Sequence, residues 1–373
     1  LDPALAGRIY PRVVDKLTRE AVEDFRIDFE DGFGNRTDAE EDGHAEAAAR
    51  ETAKGRAAGT LPPFIGIRLK PFTEELRERS LRTLDVFVST LVGEAGGTLP
   101  DGFVLTLPKV TIPEQVTALA DLCDLLEQRL GLGRGALRFE IMVETTQSII
   151  GWDGALMLPL LVAAGRGRCV SAHFGTYDYT AGCNITAAYQ HMGHAACDFA
   201  KHMMQVALAG SGVTLSDGAT NIMPVAPHRA AKGGGGAALT SAQLAENRAV
   251  VHRAWKLHYG HVRHSLVNGY YQGWDLHPAQ LPTRYAAVYA FFLESLRAAS
   301  ERLSNFIGKA AQATLVGDVF DDAATGQGLL NYFLRGIGCG AVEEEEALAT
   351  GLTIEELRGR SFVKILKNRR GGA

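Results

Sequence analysis

Cysteine, surplus positive charge and long apolar runs are all scarce in this chain, and each scarcity excludes something. Five cysteines, at positions 123, 169, 183, 197 and 339, are spread over 373 residues with no CxxC pair. So sparse and odd a set argues against a disulfide framework and for reduced thiols in a cytoplasm. The longest strongly apolar run, residues 155–164, is interrupted by Pro159 and is far shorter than the ~20 residues a bilayer-crossing helix needs. No signal-peptide pattern is visible either. The net charge is −5, which disfavours nucleic acid or an anionic membrane as partner. Gly131, Gly133 and Gly135 stand before a strand pattern rather than after one, so they read as a helix-to-strand turn and not as a dinucleotide-binding loop.

What remains is an ordinary globular composition, 46% hydrophobic and 22% charged, in a chain long enough to bury a substantial core. Seven short runs rich in β-branched and aromatic residues are bounded by Gly, Pro or acidic residues, as strands are. They are Phe25–Phe29, Phe64–Leu69, Gly102–Leu107, Leu137–Val143, Cys169–Phe174, Val213–Ser216 and Gly269–Trp274. Helical patterns separate them, among them an Ala/Glu-rich stretch over 40–58, an amphipathic one over 73–91, and one over 113–128 that opens on Pro113. Asp28, Arg68, Pro108, Glu144, Asp178 and Asp217 follow one another at 40, 40, 36, 34 and 39 residues. Each interval fits one βα unit. The cadence predicts an α/β fold, a (β/α)8 TIM barrel, over residues 1–290. A C-terminal helical extension is expected over 291–373, with the apolar helix Pro282–Phe306 completing the outer ring and offering a surface for oligomerisation. Seven strands leave a barrel one short of closure. Because the first residue is Leu1 and not Met, the missing first strand is expected upstream of Leu1. The Gly233–Gly236 run reads as a lid or a linker.

In such a barrel the C-terminal strand ends converge on one mouth. Here they carry Asp28, Glu30, Asp31, Arg68, Lys109, Glu144, His173, Asp178, Asp217, Asp275 and His277. Crowded carboxylates repel one another until protonation or a cation relieves them. Oxygen ligands suit a hard cation such as Mg²⁺ or Mn²⁺, and Glu144 and Asp178, one βα unit apart, are placed to share one. The guanidinium of Arg68 suits a substrate carboxylate. Taken singly, an acidic residue after a strand is more often a helix cap, and Lys109 after Pro108 more often packs its stem against the rim. The convergence is what raises them above that.

The motifs Asp28-Phe-Glu30-Asp31, Arg68, Leu107-Pro-Lys109-Val110, Met142-Val-Glu144-Thr145, Phe174-Gly175-x-x-Asp178 and Leu276-His277-Pro278 stand in one order over about residues 20–290. In that order they resemble the citrate lyase β-subunit-like proteins of the HpcH/HpaI aldolase group, in the phosphoenolpyruvate/pyruvate barrel superfamily. The resemblance implies a Mg²⁺-dependent carbon–carbon lyase or aldolase. It would make or break a hydroxy acid, or its acyl-CoA thioester, through a metal-stabilised enolate. Glu144 and Asp178 match the metal ligands. Arg68 matches the arginine that binds the oxo-acid carboxylate and steadies the enolate oxygen, Lys109 is a further substrate-binding candidate, and Glu30 and Asp31 match acids that order metal-bound water. Relatives often carry an Asn two positions after the arginine, where this chain has Lys70, and smaller residues than Thr176 and Tyr177. The expected partners are a small oxo acid or hydroxy acid, with an acyl-CoA as the alternative form, and further copies of the chain in a trimer or hexamer. For the general acid or base, His173 is a candidate by its ordinary pKa, and Asp318, with Asp321 and Asp322, by its place in the C-terminal segment.

Two rival readings stand beside this one. His258, His261 and His264, and separately His191 and His194, recur at one-turn spacing, which suits Zn²⁺ in a hydrolase, although HExxH is absent. A metal-binding barrel without catalysis is the other.

Overall fold

The computed structural model describes residues 2–230, 238–308, 314–316, 319–321, 323–359, 361, 364–365 and 368. The Gly233–Gly236 run and the candidates Asp318 and Asp322 lie outside the described residues. Packing groups the chain into two units: residues 20–221 with 270–276, and residues 1–19 with 222–269 and 277–373.

The first unit holds one parallel sheet. Its strands are β1 (Asp24–Asp28), β2 (Phe64–Arg68), β3 (Phe103–Leu107), β4 (Arg138–Val143), β5 (Cys169–Phe174), β6 (Thr214–Ala219) and β7 (Gly273–Trp274), paired in sequence order. Sequential parallel pairing with helical crossovers is the arrangement that the strand–helix cadence predicts. The sheet curls: Arg68 of β2 lies over the ring of Trp274 of β7, 5.3 Å from its centroid, and Gln272, just before β7, donates to Asp24 of β1 at 3.3 Å. The architecture is therefore that of a TIM-like barrel with seven described strands.

Alternation along the strands sorts the two faces. Ile65, Ile67, Leu105, Leu107, Phe139, Ile141, Val143, Ala172 and Phe174 are buried in the core that the sheet shares with its helices. Those helices are α2 (Asp38–Ala57), α3 (Arg77–Glu94), α4 (Pro113–Leu130), α5 (Met157–Ala164) and α7 (Ala195–Leu208), with α6 (Thr176–Gly182) a short turn directly after β5. The opposite face is polar. Arg26 of β1 donates to Thr106 of β3 at 3.1 Å and to Glu140 of β4 at 3.2 Å, and Thr106 donates to Glu140 at 2.6 Å. Local chemistry sets the helix ends. Thr37 and Glu40 form a capping box at the start of α2; Pro113 opens α4, and Gly131 closes it in the left-handed region.

The second unit is helical: α1 (Pro3–Arg19), α8 (Ser241–Val267), α9 (Leu281–Gly308), α10 (Ala323–Gly338), α11 (Glu344–Leu348) and α12 (Ile354–Arg358), with a small hairpin of β8 (Thr314–Val316) and β9 (Val319–Asp321). Helix α9 is its spine. Tyr285, Val288, Tyr289, Phe292, Leu293, Leu296 and Leu303 are buried with Ile9 and Val13 of α1, Val262 and Leu266 of α8, and Leu330 and Phe333 of α10. The apolar face expected to close the barrel's ring, or to meet another subunit, is thus covered by helices of its own unit. A division at residue 290 falls within α9. Arg12 clasps Glu346 with two hydrogen bonds, at 2.9 and 3.1 Å, tying α1 to α11.

One buried ion pair locks α7 to the sheet. Lys201 and Asp217 are each about 1% exposed and lie 3.1 Å apart; Asp217 also accepts from the Gly218 amide at 2.7 Å. Asp217, counted above among the polar strand ends, is thereby a structural partner of Lys201. Removing one member of such a pair strands a buried charge. Lys201→Met is expected to lower stability by about 3–5 kcal/mol, read as a fall in the denaturant midpoint, with Lys201→Met/Asp217→Leu recovering part of the loss. An unchanged midpoint in the single variant contradicts this role.

Candidate active site

Five carboxylates and two cations meet at the C-terminal ends of β1 to β5. Asp28 and Arg68 are register partners on neighbouring strands, so their side chains leave the sheet side by side. Asp28 accepts Arg68 Nε at 2.7 Å and a terminal guanidinium nitrogen at 2.6 Å. The other terminal nitrogen is 3.1 Å from Glu30. The chain turns sharply here, and the amides of Glu30 and Gly32 donate back to Asp28 at 2.9 and 2.8 Å. Burial by itself raises the Asp28 pKa; the hydrogen bonds and charge of Arg68 outweigh it and hold the carboxyl below its ordinary range. Glu30 is deeper, and there burial prevails over Lys109 and Arg68, so its pKa is raised.

Lys109 is the second hub. It follows β3 with φ +50°, a left-handed conformation unusual for a residue with a side chain and typical of strained functional turns. That turn aims its backbone amide at Glu144 Oε1, 2.7 Å away. Its ammonium bonds to Glu30, reaches Asp31 at 2.9 Å and stands 3.6 Å from Asp178. Burial works against its charge, but Glu30 and Asp31 more than offset that and hold the lysine charged. Glu144 is 2% exposed. Burial, and then the charge of Asp178, pushes its pKa up to about 8. Asp178 lies in the first turn of α6, a helix that starts directly after Gly175, where any side chain would run into Glu144. Thr145 stitches the two loops together by donating to the Val110 carbonyl at 2.8 Å.

The structure thus brings Asp28, Glu30, Asp31, Arg68, Lys109, Glu144 and Asp178 into one network. His173 stands apart from those hydrogen bonds. It is 1% exposed, bonded through Nδ1 to Ser216 at 2.9 Å, and stacked on Trp274 with ring centroids 4.1 Å apart. Burial, with the charges of Arg68 and Arg26, lowers its pKa well below the ordinary value and keeps the ring neutral. His277 caps a short 3-10 turn by accepting from the Ala279 amide at 3.1 Å. Two contributions escaped the sequence. Trp274 forms a shelf under Arg68, and the amide of Lys109, rather than its side chain alone, holds Glu144. The Asp28–Arg68 pair carried a signal, since two charged residues of opposite sign 40 positions apart at matching strand ends become neighbours in a parallel sheet.

The donor set suits a hard divalent ion: two carboxylates, Glu144 and Asp178, close enough for one to shift the other, with water and substrate able to complete the coordination of Mg²⁺. Among the described residues, no group of three or more His, Cys, Asp and Glu side chains is gathered to hold a metal. A histidine zinc centre is therefore not assembled there: His258 bonds to Thr283 at 2.8 Å, and His194 accepts from the Ala196 amide at the start of α7.

Several solved structures share the fold. A citrate lyase from Burkholderia xenovorans is 17% identical with a TM-score of 0.65, covering 91% of each chain. CitE of Mycobacterium tuberculosis, solved with magnesium, acetoacetate and coenzyme A, is 16% identical with a TM-score of 0.56, covering 88% of this chain and 94% of that one. A malate synthase from Haloferax volcanii is 13% identical with a TM-score of 0.50, covering 87% and 86%. These neighbours belong to the HpcH/HpaI superfamily, the group the sequence motifs resemble. At such identities the likeness is one of fold. No curated protein sequence matches the chain. A family model described as a domain of unknown function, DUF6986, matches residues 1–365.

The lowered Asp28 pKa has a consequence for stability. The folded state holds this proton more weakly than the unfolded chain does. The stabilisation is therefore present above the ordinary carboxylate range and is lost as pH falls through the lowered folded value. Asp28→Asn is expected to flatten the acid limb of the stability profile below about pH 4 and to cost about 1–3 kcal/mol at neutral pH, by leaving Arg68 under-satisfied. Parallel wild-type and variant profiles in denaturation across pH 2–5 would contradict the pairing.

Proposed function

The chain belongs to the DUF6986 family, and from that premise we propose that it is a Mg²⁺-dependent carbon–carbon lyase or aldolase. In this reading it cleaves or forms a hydroxy acid, or the corresponding acyl-CoA thioester, by way of an enolate. The observation that carries the reading is the juxtaposition of Glu144 and Asp178 at one end of a TIM-like sheet, with Lys109 3.6 Å from Asp178 and the Arg68 charge acting on Glu144. A buried carboxylate with a second, half-exposed one close enough to raise its pKa is costly to a fold and useful to a site that must hold a cation and stabilise developing negative charge.

In the proposal Glu144 and Asp178 hold the ion, which supplies Lewis-acid stabilisation of enolate charge when bound. Arg68 provides fixed positive charge for the carboxylate of the oxo acid. Asp28 sets the plane of that guanidinium through its two hydrogen bonds, and Trp274 supports it from below. Glu30 and Asp31 orient water around the ligands, with Lys109 binding both acids. His173, buried and neutral, and Asp318 are the candidates for moving the proton. The magnesium, acetoacetate and coenzyme A held by CitE of Mycobacterium tuberculosis support the choice of ion and of substrate class. Closure of the barrel by an eighth strand, and assembly into trimers or hexamers, belong to the same proposal.

The test is a turnover screen with Mg²⁺ over hydroxy acids and hydroxyacyl-CoA thioesters, monitoring release of pyruvate, glyoxylate or oxaloacetate. Activity is expected with at least one of them, abolished in Glu144→Ala and Asp178→Ala and reduced about 10²–10³-fold in Arg68→Ala. Silence across the panel in protein shown to hold the metal rejects the lyase; full activity in Arg68→Ala rejects the carboxylate role.

A further inference from the structure

Lys109 touches every acid of the site except Asp28. Its amide holds Glu144 at 2.7 Å, and its ammonium contacts Glu30, Asp31 at 2.9 Å and Asp178 at 3.6 Å. Both carboxylates proposed to hold the ion are therefore already in contact with one lysine. The charge balance makes the same point. Asp28, Glu30, Asp31, Glu144 and Asp178 are five acids, and Arg68 and Lys109 are the two basic side chains that pair with them. Arg68 is committed to Asp28 and Glu30, which leaves Lys109 as the cation among Glu30, Asp31 and Asp178.

We propose that Lys109 is a tethered competitor of the divalent ion: its ammonium stabilises the acid cluster while the ion is absent and draws back from Asp178 when the ion enters. The inference rests on the reading of Glu144 and Asp178 as the ion's carboxylates. Like charges a few ångströms apart repel strongly in a half-buried site, so the ammonium and the ion cannot share Asp178 without cost. The ammonium keeps carboxylate repulsion from forcing the empty site apart, and the competition sets how tightly it takes the ion. The backbone and the side chain of Lys109 have separate duties. The amide at φ +50° orients Glu144 whatever the side chain is, and the ammonium alone competes. Lys109 is on this account a positioning residue with no part in bond-making.

Separating the two duties is a matter of which substitution is made. Lys109→Met keeps the backbone amide and most of the side-chain length but removes the charge; Lys109→Arg keeps the charge. Mn²⁺ binding by the full chain, followed by calorimetry and by electron paramagnetic resonance, is expected to tighten about tenfold in Lys109→Met, to stay near wild type in Lys109→Arg, and to vanish in Glu144→Ala. A second measurement needs no substitution: acetylation of Lys109 by an amine-reactive ester, read by mass spectrometry, is expected to speed up on saturation of the wild type with Mn²⁺. Equal or weaker binding in Lys109→Met, with wild-type binding intact, overturns the competition and leaves the carboxylate pair standing. Binding that survives Glu144→Ala overturns the carboxylate pair. Absence of binding in both wild type and Lys109→Met overturns both. If Lys109→Met fails to fold, an acetylation rate that ignores Mn²⁺ is enough to reject the proposal.

Discussion

The bidentate pairing of Arg68 with Asp28 is the contact on which the rest of this site depends. A buried guanidinium in a barrel mouth is tolerable only when a carboxylate satisfies it, and the half-buried Asp28 does so. Here parallel register supplies that partner, because the last residues of β1 and β2 face each other. Once Asp28 occupies two of the Arg68 nitrogens, the third turns toward Glu30, and Glu30 in turn takes Lys109. The chain of charge runs on through the Lys109 amide to Glu144 and through its ammonium to Asp178. Removing Asp28 leaves Arg68 with Glu30 as its remaining carboxylate, in a setting where unpaired charge is expensive.

The polar interior of the sheet obeys the same rule at its other end. Arg26 is balanced by Asp24 and Glu140, with Thr106 filling the gap between them. His173 meets the demand differently, by staying neutral and stacking on Trp274. An interior built this way gives up some of the stability that aliphatic packing would provide. The apolar face toward α2 to α5 and α7 carries that load, as α9 does within the helical unit.

Much of the barrel is legible in the sequence. Strand positions, their order and their spacing are local properties, written in alternation and in the Gly and Pro that stop each run. All seven expected strands form, although β7 is only Gly273–Trp274 and β6 runs on to Ala219. Helices α1 and α8 were harder to see. Helix α1 contains Pro11, which normally argues for a break, and its contribution to the core is little more than Ile9 and Val13. Helix α8 is long but mixes histidines and arginines among few buried apolar positions, Val262 and Leu266 chief among them. The strong stripe of α9 was visible, yet a stripe states only that something covers it. Here helices of the same chain do.

The sequence by itself determined the cadence of βα units and the set of polar residues delivered to the strand ends, because both follow from residue type and spacing along the chain. It could not say who pairs with whom. That Asp28 takes the two-pronged face of Arg68, that a strained amide at Lys109 steers Glu144, and that one lysine reaches four acids all depend on reach across neighbouring strands and on the degree of burial. Those are properties of the folded sheet. Burial also separates residues that look equivalent in sequence: Asp217, a strand-end acid like Asp28, is consumed by Lys201, while Glu144 is left with a proton affinity that solvent alone does not produce.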